Sequence, residues 1–166
     1  MPRTSYAIAI GSNRRGRHGS PTREVRAAIR ALGGVTVASP ILHTPPLGPS
    51  RRRFANAVAL IHSDEAPPAL LRRLKAIERR FGRRRGQHWG ARVIDLDIVL
   101  WSGGSWGEAS LTVPHRLFRA RDFVLAPLVQ VAPDWRDPVS GHSVRQLYAR
   151  LTRRLPTSRG RAGVGP

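Results

Sequence analysis

The order in which apolar runs and amphipathic stripes alternate constrains this chain more than any other feature. Tyr6-Ala7-Ile8-Ala9-Ile10 is a continuous apolar run ending in Gly11-Ser12-Asn13, and reads as a buried strand followed by a turn. Ser20 and Pro21 supply a helix cap and a first helical position. Val25, Ala28, Ile29 and Leu32 then recur at helical spacing until Gly33-Gly34 stops the helix. Val35 to Leu42 and Ala55 to Ile61 read as a second and a third strand. Between them, Thr44-Pro45-Pro46-Leu47-Gly48-Pro49 excludes helix and central strand, because proline has no N–H to donate. Pro67 or Pro68 opens a second helix with an apolar stripe of Leu70, Leu71, Leu74, Ile77 and Phe81, ended by Gly82, and Val93 to Trp101 reads as a fourth strand. The order β-α-β-β-α-β predicts an α+β fold with a ferredoxin-like βαββαβ core, an antiparallel sheet covered by helices. The rest is too short for a second domain. A short strand and helices over 123–131 and 144–151 are expected as C-terminal helical additions. Residues 1–151 therefore read as a single domain, and 152–166, with four arginines and no acid, as a basic, disordered tail.

Composition narrows the partners. The 166 residues carry 29 Lys+Arg against 10 Asp+Glu, a formal net charge of +19, and Lys75 is the one lysine. A hydrophobic content of 40% is enough for a real core, so the charge does not imply disorder throughout. The absence of cysteine excludes a disulfide framework and a thiolate metal site. The apolar run near the start is too short for a signal peptide or membrane span, and later ones are broken by Pro, Gln or Arg. A cytoplasmic location is expected, with an anionic partner: nucleic acid, membrane or a phosphorylated small molecule.

Asp95-Leu96-Asp97 is the sharpest chemical feature. Residues i and i+2 of a strand share a face, so both carboxylates project together while Leu96 and Ile98 face the core. Mg²⁺ suits such a pair, since it takes one or two carboxylates and completes its shell with water and phosphate oxygens. Two solvated acids on an exposed strand face fit the spacing equally well. Six arginines (79, 80, 83, 84, 85 and 92) precede the pair with no acid among them. Basic and acidic groups side by side suit a nucleoside triphosphate held with Mg²⁺ better than nucleic acid alone, whose phosphates the aspartates repel. A solvated helix face and loop is the competing reading for these arginines, strongest for Arg79 and Arg80. Trp89 is either a loop anchor or a mobile lid contact. His115 could reach a phosphate or simply occupy a loop, and His18, His43, His62 and His142 lack metal-ligand spacing. Phe54, Asn56 and Phe123 could stack on and hydrogen-bond a flat heterocycle, although core packing is the more ordinary role for both rings. No P-loop and no protein-kinase glycine loop is present, so phosphoryl chemistry would need another cradle.

Six segments, taken in order, resemble the 6-hydroxymethyl-7,8-dihydropterin pyrophosphokinase family of folate biosynthesis. They are Ile8 to Asn13, Thr44 to Pro49, Phe54-Ala55-Asn56-Ala57, Trp89 to Ile98, Val113-Pro114-His115 and Arg121 to Leu128. The resemblance spans about residues 6–150. It implies transfer of pyrophosphate from ATP to the pterin's hydroxymethyl oxygen, with AMP leaving. It also implies two Mg²⁺ ions on Asp95 and Asp97, and Arg83 and Arg92 acting with these aspartates in catalysis. The pterin would lie between Phe54 and Phe123, with Asn56 at its edge and Thr44, Pro45 and Leu47 completing the slot. Arg83, Arg85, Arg92, His115 and Arg121 match ATP-binding positions, and Leu71, Glu78, Ile98 and Thr112 fall near that site. No residue is an obvious general base. Ala91 and Val93 depart from the W-G-P-R-T form of the lid motif, His88 stands where arginine is common, and Ser50 to Arg53 is unusually basic. None of these removes a metal or stacking residue, so an active enzyme is expected, acting as a monomer on small molecules without membrane or specific nucleic-acid partners.

The rival reading is an RNA-binding module, since the same element order describes RNA-recognition domains and +19 favours any polyanion. The aromatic-rich strand run of those domains is missing, and no aromatics interleave with the arginine runs.

Overall fold

The computed structural model describes residues 2–44, 53–82 and 93–154. Strand β1 (Thr4–Ser12) lies in the middle of the main sheet, antiparallel to β4 (Phe54–Ser63) on one side and to β5 (Asp95–Trp101) on the other. Strands β2 (Val35–Ala38) and β3 (Leu42–Thr44) both pair with the far edge of β4. The strand order β2-β4-β1-β5 is the ferredoxin-like one expected from the sequence. Helix α1 (Pro21–Leu32) begins where predicted, with the Ser20 side chain accepting from the Arg23 N–H. Helix α2 (Pro67–Arg80) starts on the first of its two prolines.

The two faces of the sheet carry separate cores. Tyr6, Ile8 and Ile10 of β1, Ala55, Ala57, Ala59 and Ile61 of β4, and Leu96 and Ile98 of β5 pack with Val25, Leu32, Leu70, Leu74 and Ile77 of α1 and α2. The alternate residues Ala7, Val58, Val99 and Leu100 pack with Val124, Leu125 and Leu128 of α3 (Asp122–Val131) and Val144 and Leu147 of α4 (Val144–Arg154). Burying both faces removes the open sheet on which RNA-recognition domains display aromatics. Among the described residues no helix is long and apolar enough to cross a membrane.

Several boundaries differ from expectation, each for a local reason. Gly11 and Ser12 are not a turn: both stay in β1, paired with Asn56 and Ala55. The stretch from Val35 to Leu42 is two strands, because Pro40 has no N–H to donate and Ser39 takes over the pairing. The Ser39 N–H donates to the Val58 carbonyl at 2.9 Å, and its hydroxyl accepts from the Val58 N–H at 3.0 Å. The fourth strand begins at Asp95, two residues later than expected. The expected short strand is a hairpin of β6 (Trp106–Glu108) and β7 (Leu111–Val113). Helix α4 runs to Arg154, three residues into the expected tail, whose remainder lies outside the described residues.

A buried carboxylate fixes the C-terminal helices. Asp137 accepts from Arg119 Nε at 2.5 Å and from its second guanidinium nitrogen at 2.8 Å, from the Ser140 hydroxyl at 2.6 Å, and from the Val139 N–H at 3.1 Å. Burial alone would raise its pKa, but the hydrogen bonds from Arg119, Ser140 and Val139 win and hold it at about 2. A carboxyl depressed on folding stabilises the protein above its unfolded pKa and loses that contribution as the pH falls through the folded one. Urea denaturation across an acid series should therefore show about 2 kcal/mol lost between roughly pH 4 and pH 2. Asp137→Asn should lose a similar amount at neutral pH and flatten that acid limb; a variant that keeps the wild-type limb would contradict the assignment.

Candidate active site

Antiparallel pairing sets opposite residues on the same face of a sheet. One cross-strand row runs Leu42, Asn56, Gly11, Asp95 through β3, β4, β1 and β5. One step further along the strands the row contains Val58, Ala9 and Asp97; one step the other way, Thr44 faces Phe54. Thr44, Phe54, Asn56, Asp95 and Asp97 therefore share a face, the one that α3 covers beyond Val58. Phe123, in the first turn of α3, packs against the core of that same face. Thr44, Phe54, Asn56, Asp95, Asp97 and Phe123 thus meet on one surface, although they lie up to 79 positions apart in the chain.

Gly11 makes the row possible. A Cβ there would stand 3.0 Å from Asn56 Oδ1, tighter than ordinary contact, so the missing side chain is what lets the amide lie between β4 and β5. Asn56 is buried, whereas Phe54, Thr44, Asp95 and Asp97 are half-buried. The amide is therefore fixed, and the groups around it remain accessible.

The carboxylates repel one another. Asp97 is held above the usual carboxylate range, first by burial and then by the charge of Asp95; His115 and Lys75 pull the other way. His115 is tied to β5 by its N–H, which donates to the Val99 carbonyl at 3.0 Å. Burial lowers its pKa and Arg121 adds to that, against the pull of Asp97 and Asp95. The Arg121 guanidinium lies 5.6 Å from the centre of the Phe123 ring, linking the phosphate-side and ring-side residues. A half-buried, mutually repelling pair of carboxylates suits a divalent cation. Among the described residues no group of three or more His, Cys, Asp or Glu side chains is placed to hold a metal ion, so a cation on this pair would need its other ligands from elsewhere.

Some expected residues lie elsewhere. The Ile98 side chain is 3% exposed in the α1/α2 core, on the face opposite Asp97, so only its backbone is left for a nucleotide. Glu78 is fully buried; its Oε1 accepts from the Leu96 N–H at 2.9 Å, and Lys75 Nζ lies 3.4 Å from Oε2. That makes Glu78 a clamp on β5 between the two aspartates. Leu71 packs against the α1/α2 core, and Thr112 is half-buried on β7. Pro45, Leu47, Arg83, Arg85, Arg92, His88, Trp89 and Ala91 fall outside the described residues. The sequence reading missed Lys75, which it passed over as mid-helix, and the spacing role of Gly11, for which a glycine inside an apolar strand was the available signal.

A family model, 7,8-dihydro-6-hydroxymethylpterin-pyrophosphokinase (HPPK), matches residues 7–133, well over half of the chain. The chain belongs to the HPPK family. A 2-amino-4-hydroxy-6-hydroxymethyldihydropteridine pyrophosphokinase of Pseudomonas aeruginosa is 39% identical over 148 residues, covering 86% of this chain and 89% of that HPPK. One from Synechocystis sp. is 42% identical over 104 residues, 63% of this chain and 53% of the relative, so that match spans about half of the relative. The crystal structure of wild-type Plasmodium falciparum HPPK-DHPS superimposes with a TM-score of 0.73 at 13% identity, covering 92% of this chain and 42% of that one. At that identity the likeness shows the HPPK fold alone. Neither the sequence relatives nor the structural neighbours support the RNA-binding reading.

Two substitutions probe this geometry. On the reaction proposed below, Gly11→Ala should displace the Asn56 amide and raise the KM for the pterin about tenfold, with a much smaller change for ATP, in steady-state kinetics. Equal changes for both substrates would count against the amide's placement. Asp97 binds its proton more tightly folded than unfolded, so its charge opposes folding once the pH exceeds the ordinary value of 3.8 and approaches the folded pKa. In metal-free buffer at neutral pH, Asp97→Asn should melt above wild type, and the gap should close in acid. A lower melting point would show that the carboxylate stabilises the fold.

Proposed function

We propose that this protein transfers pyrophosphate from ATP to the hydroxymethyl oxygen of 6-hydroxymethyl-7,8-dihydropterin, releasing AMP, in folate biosynthesis. The observation that carries the reading is the shared face on which Asn56 lies in one row with Asp95, with Phe54 one row to one side and Asp97 one row to the other. Membership of the family supports it. The substrate's flat ring occupies the slot between Phe54 and Phe123, with the Asn56 amide and the Thr44 to Leu47 backbone matching its edge. That places the primary alcohol towards the aspartates, where it attacks the β-phosphorus in line with the departing AMP.

Asp95 and Asp97 would hold two Mg²⁺ ions, whose chemistry would be to neutralise triphosphate charge. Arg83, Arg85, Arg92, His115 and Arg121 contact the phosphates, with Arg83 and Arg92 following the charge that moves onto the leaving group. The low pKa of His115 leaves its ring a neutral hydrogen-bonding partner at neutral pH in the absence of ligand. Leu71, Thr112 and the Ile98 backbone border the nucleotide. Residues 1–151 act as one catalytic domain, and the enzyme is a cytoplasmic monomer.

Incubating the protein with ATP, Mg²⁺ and the pterin should yield AMP; none above a pterin-free control would overturn the reading. Asp97→Ala should lower kcat by at least about a hundredfold with an unchanged circular dichroism spectrum. Phe123→Ala should act mainly on the KM for the pterin, by about tenfold or more. Near-normal turnover in the Asp97 variant would remove the metal assignment.

A further inference from the structure

A second basic site lies on the other side of the sheet end. The loop from β1 to α1 closes as a tight turn in which Gly16 and Gly19 exchange backbone hydrogen bonds of 3.0 and 3.1 Å. Its base is held by Glu24 of α1, whose side chain is fully buried. One Glu24 oxygen accepts from the His18 N–H at 2.6 Å, and the other lies 2.9 Å from His18 Nδ1. The His18 ring packs on Phe81, at the end of α2, with centroids 4.8 Å apart. Gly16 is pressed so close that a Cβ would meet Val93 at 2.5 Å and Glu24 Oε1 at 2.6 Å. The turn is therefore anchored to α1, to the end of α2 and to the residues leading into β5.

This anchored turn presents Arg14, Arg15 and Arg17 to a cavity of about 350 Å³, which Arg80 of α2 completes over Phe81, Gly82 and Val93. No acid lines it. None of the four guanidinium groups makes an ion pair or hydrogen bond with a described residue. Elsewhere in the fold, Arg73 is paired with Glu65 and Arg119 with Asp137. An arginine-rich surface accounts for scattered unpaired guanidiniums. It does not account for four of them converging on one concavity with an immobilised rim, because like charges brought together repel unless an anion joins them. Planar guanidinium forks match phosphate oxygens in pairs, and the apolar floor lowers the local dielectric.

We infer that this cavity binds a polyphosphate anion, a chain of two or more phosphates either free or borne by a nucleotide, without a metal ion. Val93 is two residues from Asp95, but Val93 and Phe81 of the cavity floor pack with the α1/α2 core, while the carboxylates share the α3 face. The described lining contains none of Phe54, Asn56, Asp95 and Asp97, and the inference does not rest on the proposed reaction.

The test is calorimetric titration of the intact protein with inorganic pyrophosphate and, separately, with ATP, each in chelator and at about 0.15 M salt. The expected result is saturable binding that Arg14→Gln/Arg17→Gln weakens by about a hundredfold, and that Arg80→Gln, on a different element, weakens by about tenfold. Melting temperatures near wild type would show that these exposed substitutions leave the fold intact. Asp97→Asn should leave metal-free binding unchanged, whereas an anion on the carboxylate face would bind tighter once that charge is gone. Tighter binding of ATP than of pyrophosphate would extend the site to the nucleoside; equal affinities would confine it to the phosphate chain, and both support the inference. No saturable binding, binding indifferent to the arginines, or binding tightened by Asp97→Asn would overturn it.

Discussion

The register of three antiparallel strands is the constraint on which everything else rests. With β1 between β4 and β5, Gly11 is fixed opposite both Asn56 and Asp95, and the alternation of strand side chains then distributes the molecule's chemistry. Ile8, Ile10, Leu96 and Ile98 point into the α1/α2 core, and Asn56, Asp95 and Asp97 point the other way. A slip of one residue in either pairing would bury the carboxylates among leucines and expose the core. Large apolar residues in α1 and α2 therefore enforce the site geometry from the opposite face, without touching it.

The same register explains why an energetically unfavourable feature survives. A half-buried carboxylate beside another carboxylate costs stability, and burial and the charge of Asp95 together raise the pKa of Asp97. Glu78 adds a third acid to the neighbourhood, yet it is spent on the Leu96 N–H and clamps the backbone between the aspartates. On the proposed function a cation and a triphosphate would relieve the repulsion between Asp95 and Asp97 together, so binding and charge neutralisation would be coupled.

Much of this was legible from the sequence, because hydrophobic periodicity and proline placement report directly on strands and helices. The core order, the Ser20 cap, the proline start of α2 and the shared face of Asp95 and Asp97 follow from local pattern alone. What was not legible depends on partners far away in the chain. Ser39 replaces a backbone pairing only because Val58 lies opposite, and Gly11 reads as a turn until Asn56 is known to stand beside it. Glu24 and Asp137 look like surface acids, yet both are buried clamps whose donors come from other segments. Ile98 fell on the core face for a reason the sequence did state, the period of two along β5. The net charge of +19 divides similarly: some arginines brace the fold, four converge on a cavity, and for many others the structure supplies no role.

In the proposed reaction the carboxylate face orients ATP for attack at its β-phosphorus, so that two phosphates move as a unit. ATP labelled at the β-phosphate distinguishes this from transfer of one phosphate. The label is expected to pass into the pterin product, and the nucleotide released to be unlabelled AMP. Label retained in ADP, with only the γ-phosphate transferred, would contradict it.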